Sequence, residues 1–248
     1  MKTEHPMPED IPALRQLWQE AFGDPDSYLD LFFSTAFLAD HCLCIRQDEK
    51  LLAAAYWMDC SIGDTAAAYI YAVATAQAAR RQGLCKKLMA DIHALLQERG
   101  YGCAILVPGD GALRQMYRAM GYTDFGGIRE FICEANTSAT ELQPIGVAEF
   151  ATLRRQMLPK SGVLQEGAQL ALLDSIAEFY RGDGFLLTRR KEDGYVLELL
   201  GQTAEYQRIA AAFGADSIRI RTNGEAPFGM YYPLNSQNAP SYFVFAFD

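Results

Sequence analysis

Apolar residues at Ile11, Leu14, Leu17, Trp18 and Phe22 recur at three- and four-residue steps, which predicts an amphipathic helix over residues 9–22. The segment DPDSYLDLFFSTAF (24–37) predicts a second short helix with an acidic start. HCLCIRQ and LLAAAYWMDC flank the polar triplet DEK and predict a hairpin. Gly63 and Asp64 mark another turn, after which TAAAYIYAVAT predicts a third strand. Beyond AQAARRQG, Leu84, Leu88, Ile92 and Leu95 fall on one helical face, and Gly100 ends that helix. CAILVP predicts a short buried strand, GALRQMYRAMGY a helix closed by Gly121, and FGGIREFICE a strand or bent hairpin.

The pattern restarts near Ala135. Helices are predicted over 146–158 and 164–181, and GFLLTRR and YVLELLG form a hairpin about KEDG. TAEYQRIAAAFG predicts a helix, and SIRIRT, FGMYYPL and YFVFAFD predict strands. Two units follow, residues 1–134 and 135–248, each mixing strands and helices in a similar order without a sequence repeat. The expected class is α/β, with a mixed sheet of α+β type.

Composition adds little to that fold reading. Half of the residues are apolar and 21% are charged, enough for a sizeable core. The formal net charge of −9 disfavours general nucleic-acid binding and first of all promotes solubility. Cys42, Cys44, Cys60, Cys85, Cys103 and Cys133 form no CxxC pair and have no His at zinc-ligand spacing, so no metal is expected. Reduced thiols, a cytoplasmic location and no membrane span are the expectation, since neither a signal segment nor a long apolar run is present.

Candidate chemistry concentrates in the strand–RRQGLC–helix stretch. Arg80-x-x-Gly83-x-Cys85 stands at a predicted helix start, where free N–H groups and the helix dipole favour an anion. Gly83 can take positive φ and lets a phosphate approach, and Arg80 and Arg81 add charged donors. The spacing is neither GxGxxG nor Walker A.

In context, YIYAVAT-x4-RRQGLC resembles motif A of the GNAT superfamily of N-acetyltransferases, and PGDGALRQMYRAMGY resembles that superfamily's later tyrosine-bearing helix. The resemblance covers about residues 5–133. It implies a GNAT-like fold whose sheet splays open between YIYAVAT and CAILVP to take acetyl-CoA. Val73, Ala74 and Thr75 would meet the pantetheine arm; Arg80, Arg81, Gln82, Gly83, Leu84 and Cys85 would hold the pyrophosphate. Cys85 stands where Gly or Ala is usual, and Asp110 where many members have Asn. Tyr117 would be the general acid that protonates the departing sulfur, since a phenol with a pKa of about 10 is protonated at neutral pH. The acceptor would be a small-molecule or peptide amine.

The base is open. Asp59 and Glu130 are candidate carboxylates, His93 reads as a surface or packing residue on the helix after the loop, His41 precedes a strand with no partner to name, and a water chain could serve instead. The second half has no RxxGxG-type loop and looks like a degenerate GNAT-like domain, a tandem resembling the acetyltransferases named for enhanced intracellular survival. In that family the chain's terminal carboxylate reaches the cleft, so Asp248 is a catalytic candidate here, where two carboxylates could accept a proton. The rival class is a non-catalytic module that binds or senses acyl-CoA. CoA release with a panel of amines separates the two.

Overall fold

A computed structural model describes residues 1–135, 138–201, 206–236 and 238–247. The first half contains β1 (Lys2–Glu4), α1 (Ile11–Phe22), α2 (Asp26–Thr35), β2 (Cys42–Gln47), β3 (Lys50–Ile62), β4 (Thr65–Thr75), α3 (Leu84–Glu98), β5 (Cys103–Leu106), α4 (Gly111–Ala119) and β6 (Thr123–Glu134). The second contains β7 (Gln143–Ile145), α5 (Val147–Met157), β8 (Val163–Gln165), α6 (Ala168–Ile176), β9 (Ala177–Gly182), β10 (Phe185–Arg190), β11 (Val196–Gly201), α7 (Tyr206–Ala212), β12 (Ser217–Asn223) and β13 (Ala226–Pro233). None of the described helices is long and apolar enough to cross a membrane.

Among the described residues the strands join in one mixed sheet, ordered β1-β2-β3-β4-β5-β13-β6-β12-β11-β10-β9-β7, with β8 on the side of β3. The order is pseudo-symmetric. In each half an edge strand and three antiparallel strands lead through a helix to a parallel fifth strand: β4–α3–β5 and β11–α7–β12. Each half is then completed by the other. β13 lies between β5 and β6, while β6 pairs with β12. The second half thus repeats the strand and helix order of the first.

Alternation along β4 divides the core. Ala67, Tyr69 and Tyr71 face α1 and α2, together with Trp18, Phe32 and Tyr56. Ala68 and Ile70 face the other way, with Leu84, Leu88, Ile92 and Tyr117 from α3 and α4. All six cysteines are free thiols, and Cys42 and Cys44 are buried side by side on β2, as two small apolar residues.

Two expected elements differ. Residues 164–181 are not one helix: β8 ends at Gln165, Gly167 takes φ +56° before α6, and β9 begins at Ala177. The apolar run LALLDSIAEF fits a helical period at its start, but AEFYRG alternates, and pairing with β10 decides its conformation. YFVFAFD is not a ladder strand. Residues 242–246 are all buried and thread between the lobes, joined by an isolated bridge, Gly162–Tyr242, to the residue before β8. Their backbone groups instead meet the Val163 amide and the Gln165 side chain.

Candidate active site

β4 pairs with β5 over only three positions, the last being Tyr69–Ile105. Past that point β4 continues to Thr75 while β5 stops at Leu106. The sheet therefore opens along residues 70–75 of β4. The opening is reinforced by a bulge: the register with β3 shifts between Tyr71 and Ala74, and Ala72 takes φ +47°. A left-handed conformation costs an alanine about 1 kcal/mol, and such strain collects at functional sites. Val73 and Thr75 remain half-buried on this opened edge.

The helix start beside the opening is bare. Gly83 is the N-cap of α3, with φ +77° and no side chain capping the first-turn amides. By contrast, α4 begins under Asp110, whose carboxylate accepts from the Leu113 amide at 2.7 Å. That gives Asp110 a capping role. At Gly83 an added Cβ would meet nothing within 4 Å. Arg81 also takes positive φ, 63°, and residues 80–83 are exposed. Arg80 turns back, its Nε donating to the Thr75 carbonyl at 3.2 Å. The loop thus presents N–H groups of an uncapped helix end to open space beside β4.

Tyr117 lies on α4 and is 6% exposed. It shares an apolar cluster with Leu84 and with the half-buried Val73 and Cys85, so the structure brings the predicted loop, strand and phenol to one place. Burial, and then the nearby Cys85, push the Tyr117 phenol well above its usual range. Tyr122 packs edge-on against it at 5.5 Å. Behind them His93 is buried, bonded to the Tyr122 hydroxyl at 2.8 Å and stacked on Tyr232 at 4.0 Å. Burial pulls its pKa down to about 4, so His93 is a neutral packing residue at pH 7.

The candidate bases are placed elsewhere. Asp59 pairs with Ala68, about 13 Å along the strand from Ala72, and its carboxylate accepts from Tyr101 at 2.5 Å. His41 stacks on Trp57 close to that same carboxylate. Glu130 is clamped by Tyr195, Arg219 and Arg221 against β12. Burial alone would raise its pKa; these three donors reverse that and bring it down to about 2, so it is a structural carboxylate. Asp248 lies outside the described residues.

On the opposite face of β4 stands a group that sequence reading missed. The Tyr71 hydroxyl donates to the Phe247 carbonyl at 3.0 Å and meets the Tyr28 hydroxyl at 2.7 Å. These residues are 43 and 176 positions apart from Tyr71 in the chain, and nothing local in the sequence links them.

Residues 4–124 match the family model of the acetyltransferase (GNAT) domain. This segment, just under half of the chain, is similar to a GNAT domain. A GCN5-related N-acetyltransferase from Kribbella flavida shares its fold at 17% identity and a TM-score of 0.70, covering 94% of this chain and 71% of that one. Eis1 from Mycobacterium abscessus is similar at 11% identity and 0.69, covering 95% and 74%. A putative acetyltransferase from Pyrococcus horikoshii is similar at 12% and 0.67, covering 99% of this chain and 94% of that one. No curated protein matches the sequence. The GNAT match and the shared two-lobe fold support an acyltransferase. The second lobe does not repeat the opening: β11 still pairs with β12 at Leu199–Thr222, and the Thr222 hydroxyl donates to the Leu199 carbonyl at 2.9 Å.

Proposed function

We propose that the chain moves an acetyl group from acetyl-CoA to an amine by direct attack. One observation carries the reading: the sheet opens between β4 and β5 where an uncapped helix start faces open space at Gly83. The amides from Gln82 to Cys85 would hold the pyrophosphate, with Arg80 and Arg81 supplying charge. The free edge of β4 at Val73–Thr75 would pair with the pantetheine amides. That arrangement lays the thioester in the opening, between the Tyr117 face and the Tyr71 face. The neutral amine attacks the thioester carbon, the carbon–sulfur bond breaks, the departing sulfur takes the Tyr117 proton, and the proton that the new amide nitrogen sheds passes to water, from which the phenol is reprotonated. Tyr117 suits this role because its burial keeps the phenol protonated.

Acetyl-CoA at about 100 times its dissociation constant is expected to stabilise the fold by about 2.7 kcal/mol. For a chain of this size that corresponds to a rise in Tm of roughly 5–10 °C. Differential scanning fluorimetry reads it directly, and no shift at millimolar acetyl-CoA would sink the reading. Stabilisation without CoA release from any amine would move the chain to the sensing class.

Gly83→Val is expected to weaken acetyl-CoA binding at least ~10-fold while the fold survives. The added side chain meets no protein atom at its Cβ but occupies the space a phosphate needs. Its strain at φ +77° costs about 1–2 kcal/mol, which this chain should tolerate. Calorimetric titration beside a melting curve separates the two effects. Undiminished affinity would remove the loop from the cofactor site.

A further inference from the structure

The helix that carries the proposed acid has little to hold it. α4 is nine residues long, and Tyr117 is its one buried residue. A helix of that length is marginal on its own, so its place is set by whatever grips its side chains. Tyr117 supplies one grip through its ring. Arg114, one turn earlier, supplies another, and its side chain is 17% exposed.

The Arg114 guanidinium is divided between the two halves of the chain. Nη1 donates to the Asp124 carboxylate at 2.5 Å, at the start of β6. Nη2 donates to the Phe228 carbonyl at 2.9 Å and to the Pro227 carbonyl at 3.0 Å, both on β13. β13 pairs with β6 on either side of this contact, at Pro227–Gly127 and Gly229–Phe125, and Gly126 between them stands at φ +59°. The two carbonyls turn to α4 at that break. A planar cation with several fixed donors can span a carboxylate and two carbonyls at once, and an ammonium reaches fewer of them. Arg118, one turn later, also reaches Asp124, but its side chain is 53% exposed and, among the described residues, bonds Asp124 alone.

We infer that Arg114 is a positioning residue for the acyl transfer: it fixes α4 against β13 and so sets where the Tyr117 hydroxyl stands in the opening. The assignment rests on the acyl-transfer reading. It gives the second half a part in the reaction without a cofactor loop of its own, because two of the three acceptors that hold Arg114 belong to β13. The same strand pairs with β5, from Met230–Leu106 to Pro233–Cys103, and β5 walls the opening. A misplacement of about 1 Å can cost about 100-fold in rate, so losing this grip acts on turnover. The cofactor loop stands on α3 and is left in place.

The test uses the full chain and acetyl-CoA, with 2-phenylethylamine, putrescine and lysine amide as acceptors. CoA release reads turnover, and calorimetry reads acetyl-CoA binding. Arg114→Met keeps an apolar stem and removes the donors. It is expected to lower kcat about 10–100-fold and to leave the Kd of acetyl-CoA within about twofold. Arg114→Lys, which can keep the Asp124 pair, should recover part of that loss. Arg118→Met, at an exposed ion pair, should change kcat by less than about twofold. The decisive measurement is the cycle with Tyr117→Phe. If Arg114 acts through Tyr117, Arg114→Met adds nothing once the hydroxyl is gone, and the double variant turns over within about twofold of Tyr117→Phe. An equal loss in both backgrounds makes Arg114 a support of the fold alone and overturns the assignment, as does an unchanged kcat in Arg114→Met. Should Arg114→Met fail to fold, the cycle run with Arg114→Lys gives the same two readings. A wild type that releases no CoA with any of the three amines overturns the acyl-transfer reading and this one with it.

Discussion

Tyr117→Phe is expected to lower kcat by about 10²–10⁴-fold, the usual worth of a positioned general acid, and to leave acetyl-CoA affinity within about twofold. The change removes one hydroxyl and almost no volume. Tyr117 packs among Leu84, Tyr122 and Met230, and those contacts are made by its ring. The effect should therefore appear in kcat and in kcat/KM alike, the mark of an interaction made in the transition state. Single-turnover measurements keep product release from hiding it. Full activity with chemistry rate-limiting would remove Tyr117 from the mechanism.

The same burial sets a pH expectation. Desolvation raises the Tyr117 pKa, so its acidic form persists above the usual tyrosine range, near pH 10. The kcat profile should consequently show no falling limb from this group below about pH 10. A falling limb between pH 7 and 9 would assign the proton to another group.

How much of this was legible in sequence depended on how local each signal was. The loop could be read because glycine and arginine at a strand-to-helix junction constrain backbone and charge within six residues, Arg80–Cys85. The place of Tyr117 on a short helix was legible through its spacing to Gly121 and Tyr122, which fixes one helix end. The opening of the sheet was implied by family resemblance and appears in the register, where β4 leaves β5 after Tyr69. The bulge at Ala72 had no sequence signal, since alanine has no preference for φ +47°.

Long-range pairings were not legible. β6 and β13 alternate as any strand does, and alternation fixes which face is buried but not which neighbour is bonded. Hence the insertion of β13 between β5 and β6, across the boundary drawn at residue 134, could not be foreseen. The tail YFVFAFD misled for a related reason. Strand propensity was read from its aromatic and β-branched residues, yet a segment buried on every side behaves as core filling between lobes. The Tyr28–Tyr71–Phe247 hydrogen-bond chain joins α2, β4 and that tail, and only the folded arrangement puts them together.

The tail is held by a second polar group, and the largest stability effect is expected there. Glu198→Ala should destabilise the fold by about 3–5 kcal/mol, because it leaves Arg154 buried and unpaired. Glu198 is 1% exposed and Arg154 3%. The guanidinium forks onto the carboxylate, with Nε to Oε2 at 2.7 Å and Nη2 to Oε1 at 3.0 Å. It also reaches the Val163 carbonyl at 3.4 Å and Gln165 at 3.3 Å. Gln165 in turn donates to Gln169 at 2.9 Å and to the Phe245 carbonyl at 3.3 Å, and Gln169 donates to the Asp59 carbonyl of β3 at 2.8 Å. The pair is thus the centre of a satisfied network joining α5, β8, α6, β11, the tail and the first half's sheet. Removing both charges together, in Arg154→Met with Glu198→Leu, should cost less than the single change, since buried apolar groups of similar volume need no partner. Recovery should stay incomplete, because the Tyr242 hydroxyl donates to Glu198 at 3.2 Å and would be stranded, at a cost of about 1–3 kcal/mol. Adding Tyr242→Phe should recover that part. Urea unfolding of the single, double and triple variants gives the three differences. A double variant no more stable than Glu198→Ala would mean that the charged pair itself, and not the satisfaction of its members, holds the lobes and the tail in place.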